Sequence, residues 1–203
     1  MRKLFLPLLF SLFLLTSCGE KDARSRAAAL QESLAAMEGW SAEVNVDLPR
    51  EGETLHYAFS IESGGDEATL TLTEPQTLAG VTAHLSGDAL KLSYGTLVLD
   101  AGTAAEGVNG VNCVPLMLRA LAEGYVLRAS VEPFGGEEEA LFLVCESECS
   151  GEVLNYRAYV SPLGVPLYGE IEKNQEIIAF MEFTNFTACD TMAENTDAAP
   201  PRK

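Results

Sequence analysis

The residues with the clearest chemical potential stand at the start of the chain. Leu15-Thr16-Ser17-Cys18 places an aliphatic side chain and two small ones ahead of a cysteine. This is the lipobox pattern of bacterial lipoproteins, in which the thiol accepts diacylglycerol and the peptide bond on its N-terminal side is then cut. Before it come Met1-Arg2-Lys3, a positive start, and Leu4 to Leu15, twelve residues without a charge. That run reads as the hydrophobic region of a signal peptide: it is shorter than the about 20 apolar residues that cross a roughly 30 Å hydrocarbon core, and Pro7 interrupts it. Cys18 is therefore expected to be the lipidated first residue of the mature chain, with residues 1–17 removed. Each buried methylene of a palmitate-class chain adds about 0.8 kcal/mol of membrane affinity, so two or three chains anchor stably.

The other candidate groups point away from catalysis. Cys113, Cys145, Cys149 and Cys189 form an even set in an exported chain, which permits two disulfides in three connectivities. The pairing stays open. Cys145 and Cys149 are separated by about 13 Å in an extended strand, so they bridge only if the chain turns at Glu146-Ser147-Glu148. A four-thiolate zinc site lacks its Cys-x-x-Cys knuckles. The acidic runs Glu137-Glu138-Glu139 and Glu146-Ser147-Glu148 have no calcium-loop spacing and read as a solvated face. His56 and His84 stand on strands among polar neighbours, with no ligand at metal spacing. No Gly-x-Ser-x-Gly elbow is present. No catalytic residue, metal or cofactor is expected.

Charge removes a further class. Lys and Arg number 13 against 30 Asp and Glu, a net charge of -17, which is incompatible with a grip on phosphate backbones and excludes nucleic acid. Removing residues 1–17 also removes Arg2 and Lys3, leaving 186 residues with 11 basic and 30 acidic groups, or -19. An anionic lipid surface repels such a body, so the anchor must hold it at the membrane.

The elements that position these residues follow from periodicity. Ala23, Ala27, Leu30, Leu34 and Met37 recur at helical spacing, with Asp22 as expected N-cap and Gly39 as stop, so a helix is predicted over about 22–38 after a short tether at 18–21. The period then becomes two. Ala42, Val44, Val46 and Leu48 alternate with polar residues, as do Leu55, Tyr57, Phe59 and Ile61, then Ala68, Leu70 and Leu72, then Val81, Ala83 and Leu85, then Leu90, Leu92 and Tyr94, with the short run Leu97–Leu99 after them. With no crossover helix between them, these strands are antiparallel, apolar on one face. A loop rich in Gly and Ala, Gly102–Gly110, precedes a second helix at Val114–Glu123, ended by Gly124, to which it gives freedom to move. Strands return at 125–132, 139–146, 153–161, 167–173 and 176–186. Residues 190–203 read as a disordered tail. The expectation is an α+β domain over 22–189, with about ten strands and two helices.

The order of these elements resembles the family of lipoprotein carriers and receptors LolA and LolB, and more closely its lipobox-bearing germination lipoproteins of the GerS type from spore-forming bacteria. The resemblance also rests on Glu74-Pro75, Leu78-Ala79-Gly80-Val81, Leu90-Lys91-Leu92-Ser93-Tyr94, Gly164-Val165-Pro166-Leu167-Tyr168 and Phe183-Thr184-Asn185-Phe186. It implies a strongly curved, unclosed half-barrel whose helices cover the concave face. It implies a non-enzymatic role at the extracytoplasmic face of a bacterial membrane, binding an acyl chain or an envelope protein, or, alternatively, regulating a peptidoglycan hydrolase without a small ligand. A homodimer is compatible with it. The cavity arginine of the carriers has no counterpart, since Arg128 and Arg157 fall on the polar phase. Val44, Val46, Tyr57, Phe59, Ile61, Leu70, Leu72, Leu92 and Tyr94 from the strands meet Leu118 and Leu121 from the second helix, and these residues either pack as a plain core or, as the resemblance implies, line a cavity.

Overall fold

Alternation of apolar and polar residues becomes a single sheet of eleven strands: β1 (Gly39–Arg50), β2 (Glu53–Gly64), β3 (Glu67–Glu74), β4 (Thr82–Ser86), β5 (Ala89–Tyr94), β6 (Leu97–Thr103), β7 (Tyr125–Phe134), β8 (Glu137–Cys149), β9 (Glu152–Val160), β10 (Pro166–Lys173) and β11 (Glu176–Cys189). Among the described residues two helices accompany it, α1 (Cys18–Ala35) and α2 (Cys113–Glu123). The computed structural model describes residues 18–189 except 66, 88 and 104–106, and omits the side chains of residues 18–21 and 189. The expected signal peptide and the C-terminal tail lie outside the described residues.

The spatial order is β6-β5-β4-β3-β2-β1-β11-β10-β9-β8-β7. The chain enters at the middle of the sheet, walks out by hairpins to the β6 edge, crosses through α2 to the far edge at β7, and walks back until β11 pairs with β1. Every pairing is antiparallel, and β6 and β7 do not meet, which leaves a half-barrel. From β1 to β4 the hairpin registers keep one phase inward. Ala42 faces Ile61, and Ile61 faces Leu70. Val44, Val46, Ile61, Leu70, Leu143, Tyr156, Ile171 and Met181 are almost wholly buried in one continuous core.

α2 ends at Glu123 before Gly124 as expected and starts one residue early, at Cys113, whereas α1 differs from expectation at both ends. α1 begins at Cys18, so residues 18–21 form its first turn and Asp22 lies inside it; acidic residues so near a helix start suit the positive end of its dipole. It stops at Ala35, where Ala36 and Met37 still donate backward to Glu32 and Leu34, and Gly39 opens β1. Its expected face is real: Ala23, Ala27 and Leu30 are buried and Leu34 is half-buried. Small residues there let the helix lie close to β7 and β8. α2 packs on β8, β9 and β10 and comes close at Gly169, where a Cβ would stand 2.7 Å from Met117 Cε.

The segment before α2 is not the loose hinge its glycines suggest. Asn109 Oδ1 accepts from the amides of Val111 (2.9 Å) and Asn112 (3.1 Å), while Asn112 Oδ1 accepts from the amide of Asn109 (2.8 Å) and Asn112 Nδ2 donates to the Gly107 carbonyl (2.7 Å). These Asx-type bonds tie residues 107–112 into a fixed lead-in. At the other end of α2, the Gly124 carbonyl accepts from Gln31 Nε2 at 2.9 Å, which joins the two helices.

Candidate functional site

One helix with two apolar stripes makes the site. On α2, Val114, Met117 and Leu121 are fully buried against the sheet. Pro115, Leu118, Arg119 and Ala122, spaced by three and four, face a different way and form one wall of a cavity of about 560 Å³. Leu34 and Ala35 at the end of α1 extend that wall. The opposite wall is Trp40 on β1, Ser63 on β2, Ala68 on β3 and Leu85 on β4. Asn112, Cys149 and Ser150 close the third side. Because α2 is drawn down onto β10 at Gly169, it stands off from β3 and β4, and the space between remains open. Gly65 (φ 58°) and Gly87 (φ 55°) occupy the hairpin tips at its mouth with no atom near where a Cβ would sit.

The anchor of the far wall is Trp40, the chain's sole tryptophan. It stacks on Phe186 with ring centroids 5.8 Å apart and planes 13° from parallel. Charge gathers at the rim, where the exposed side chains of Glu67, Glu123, Glu148 and Arg119 border the cavity. A second, smaller cavity of about 290 Å³ lies beyond Cys149, bounded by Leu48, Val108, Leu154 and Ile178, with the Lys173–Glu152 ion pair (2.6 Å) at its border. Cys149 belongs to the walls of both.

Most of the expected lining lies elsewhere. Val44, Val46, Phe59, Ile61, Leu70, Leu72 and Leu121 are buried in the packed core, and of the expected residues only Leu118 borders the larger cavity. Tyr57 and Leu92 are half-buried. Tyr94 is 59% exposed, because the helices do not reach over β5 and β6; there Leu97 (72%) and Leu99 (62%) continue the uncovered apolar ledge. Trp40, Ala68, Leu85, Pro115, Arg119 and Ala122 were not anticipated. A second apolar stripe on α2 was the available signal.

The reactive groups are placed as follows. Cys113, Cys145 and Cys149 are buried free thiols. The turn that a Cys145–Cys149 bridge requires does not form, because β8 runs extended through Cys149 and pairs with β9 along that length. Burial pushes the Cys113 thiol up to about 12 and the Cys145 thiol to about 11. Burial likewise raises the Tyr156 phenol to about 12, helped by the nearby Cys149. The side chains of Cys18 and Cys189 lie outside the described residues. His56 does have a carboxylate partner, contrary to expectation: the β1–β2 register sets Asp47 opposite it, at 2.6 Å, on the exposed outer face. His84 bonds Thr69 Oγ1 (3.2 Å) and Ser93 Oγ (3.4 Å) on that same side of the sheet. Glu137, Glu138, Glu139 and Glu148 are exposed, and Glu146 is half-buried. Arg157 pairs with Glu170 and Glu172, and Arg128 lies over the Phe142 ring, both away from the cavities. Among the described residues no group of His, Cys, Asp and Glu is placed to hold a metal ion, and no helix is long and apolar enough to cross a membrane.

Fold and site define a class: a half-barrel with a helix-walled groove. No family model and no curated protein matches the chain. Among solved structures it is similar to a DUF1329 family protein from Desulfovibrio piger, at 11% identity and a TM-score of 0.47, covering 84% of this chain and 93% of that one. It is also similar to a LolA superfamily protein from Nitrosomonas europaea (13%, TM-score 0.43, 83% and 94%) and to lipoprotein LppX from Mycobacterium tuberculosis (9%, TM-score 0.45, 79% and 93%).

Proposed function

We propose that this chain is a lipid-anchored module at the extracytoplasmic face of a bacterial membrane, and that it binds an apolar group without catalysing a reaction. The observation that carries the reading is the cavity of about 560 Å³ beside α2, within the range of ligand sites. The lipobox at Leu15–Cys18 supports the anchor. The histidines face outward and supply no base to the groove, which supports a non-enzymatic role.

The ligand is an acyl chain or an apolar segment of an envelope protein. The uncovered ledge of Tyr94, Leu97 and Leu99 favours a second reading, in which the chain regulates an envelope hydrolase through protein contact, as the resemblance to germination lipoproteins implies.

Trp40 supplies the test, since it alone among aromatic groups in the chain is an indole and it lines the groove. N-phenylnaphthylamine, a neutral apolar fluorophore, is titrated into the full-length chain in phosphatidylcholine vesicles, with Trp40→Phe as blank. Saturable energy transfer from Trp40 is expected. Transfer indistinguishable from the blank at every dye concentration overturns the groove reading.

A further inference from the structure

The groove is apolar along one wall but is neither enclosed nor neutral. Leu34, Leu118 and Ala122 offer a place for apolar side chains, while Ser63, Asn112 and Ser150 interrupt the lining with polar groups. An acyl chain gains by complete withdrawal from water, and this mouth, flanked by the bare turns at Gly65 and Gly87, leaves one side of any occupant wet. An amphipathic peptide suits that geometry, because it presents one face to an apolar groove and keeps the other in solvent.

Charge decides the sign of the peptide. Glu67, Glu123 and Glu148 at the rim outnumber Arg119, and the whole chain is at -17. Such a field draws a cationic segment in and repels an anionic one, most strongly at low salt. The Glu148 carboxylate, part of an acidic run that sequence alone assigns to a solvated face, thereby gains a role at the rim.

We infer that the groove beside α2 receives a basic, amphipathic segment of a partner protein, with its leucine-like side chains on the Leu34–Leu118–Ala122 wall and its lysines or arginines against Glu67, Glu123 and Glu148. This rests on the reading of the groove as a binding site, and deepens it by naming the occupant.

The experiment uses the full-length chain in phosphatidylcholine vesicles and reads energy transfer from Trp40 to dansyl. One short dansyl peptide carries leucines at helical spacing with lysines between them; its counterpart carries glutamates in place of the lysines. The lysine peptide is expected to bind at least tenfold more tightly. Glu67→Gln and Glu148→Gln, both at exposed positions, are each expected to weaken it about two- to fivefold at low salt, as rim charges do, and added salt is expected to erase that difference. N-phenylnaphthylamine binding to the wild-type chain is the separate readout of the groove itself. Equal affinity for the two peptides, or an unchanged lysine-peptide affinity in both glutamine variants, overturns the inference while dye binding leaves the groove reading standing. A dansyl fatty acid that binds more tightly than the lysine peptide also overturns it, in favour of a lipid. Loss of dye and peptide signals together overturns both readings.

Discussion

Leu118 and Leu121 lie three residues apart on α2 and share one core cluster, yet only Leu118 also borders the cavity, and tryptophan placed at each position separates a groove from a core. Leu121 is fully buried in the same core cluster as Leu143 and Tyr156. An indole there has no free space and must push the helix or the sheet, at a cost of about 1–3 kcal/mol. Leu118 is 7% exposed and borders about 560 Å³ of open volume, so an indole can lie along the Pro115–Ala122 stripe, and the expected change stays below about 1 kcal/mol. For a domain of this size, about 1 kcal/mol corresponds to about 2–4 °C in Tm. Leu121→Trp is therefore expected to melt about 4–8 °C below wild type for a mid-range cost of about 2 kcal/mol, and Leu118→Trp within about 4 °C of it. Far-UV circular dichroism follows the melting. Directly excited N-phenylnaphthylamine emission follows the groove, so that the added indole does not contribute. Leu118→Trp should lose dye binding while staying stable. Equal destabilisation by the two substitutions, or full dye binding by Leu118→Trp, refutes the division of α2 into a core stripe and a groove stripe.

Three further outcomes are expected. Cys18→Ser should abolish metabolic acyl labelling and leave the protein as an uncleaved precursor; continued labelling refutes the lipobox assignment. Gly124→Ala should cost at least about 3 kcal/mol, the upper end for overpacking, because the new Cβ would stand 2.3 Å from the Ala120 carbonyl oxygen and 3.1 Å from that of Glu146, both rigid backbone; a variant that unfolds at the wild-type urea midpoint disproves it. Alkali should destabilise the domain. The folded Cys113 thiol holds its proton up to about 12, against 9.0 in a free thiol, so stability is complete below about pH 9 and falls by up to about 1.4 kcal/mol per pH unit as pH rises toward 12. Cys145 and Tyr156 act in the same direction. Urea melts at about pH 8 and about pH 10.5 should show a shallower loss for Cys113→Ala than for wild type; parallel loss in the two proteins rules out Cys113 as a source.

The inward phase of the strands was legible because two-residue alternation and hairpin registers give the same answer. Val44, Val46, Phe59 and Ile61 face the core wherever helices cover it. What alternation cannot reveal is where the cover ends, and Tyr94, on the same phase as Leu92, stands exposed for that reason. Helical periodicity puts Leu118 and Leu121 on one apolar face of α2, whereas the structure divides that face between core and cavity, because a helix buried on most of its sides has no broad polar face to mark where the core ends. The loop Gly102–Gly110 reads as giving α2 freedom to move, whereas over residues 107–112 two asparagines bond the backbone back on itself. Cys145 and Cys149 needed a turn at three residues that also suit a strand, and pairing with β9 decided for the strand.

The groove follows from the order in which the chain is laid down. Strands β1 to β6 are built outward by hairpins before either edge has a partner, and α2 must then carry the chain across the open side to start β7 at the opposite edge. A helix of eleven residues spans about 16 Å, and its C-terminal end is tied to α1 by the Gln31–Gly124 bond while its middle is seated over Gly169. Both constraints draw it toward the β7–β10 side. The β3–β4 wall, whose Ala68 and Leu85 are too short to fill the distance left, becomes the far side of the groove. Larger residues at Ala68 or Gly169 act on that distance in opposite ways: the first fills the groove from the far wall, and the second lifts Met117 and moves the helix itself.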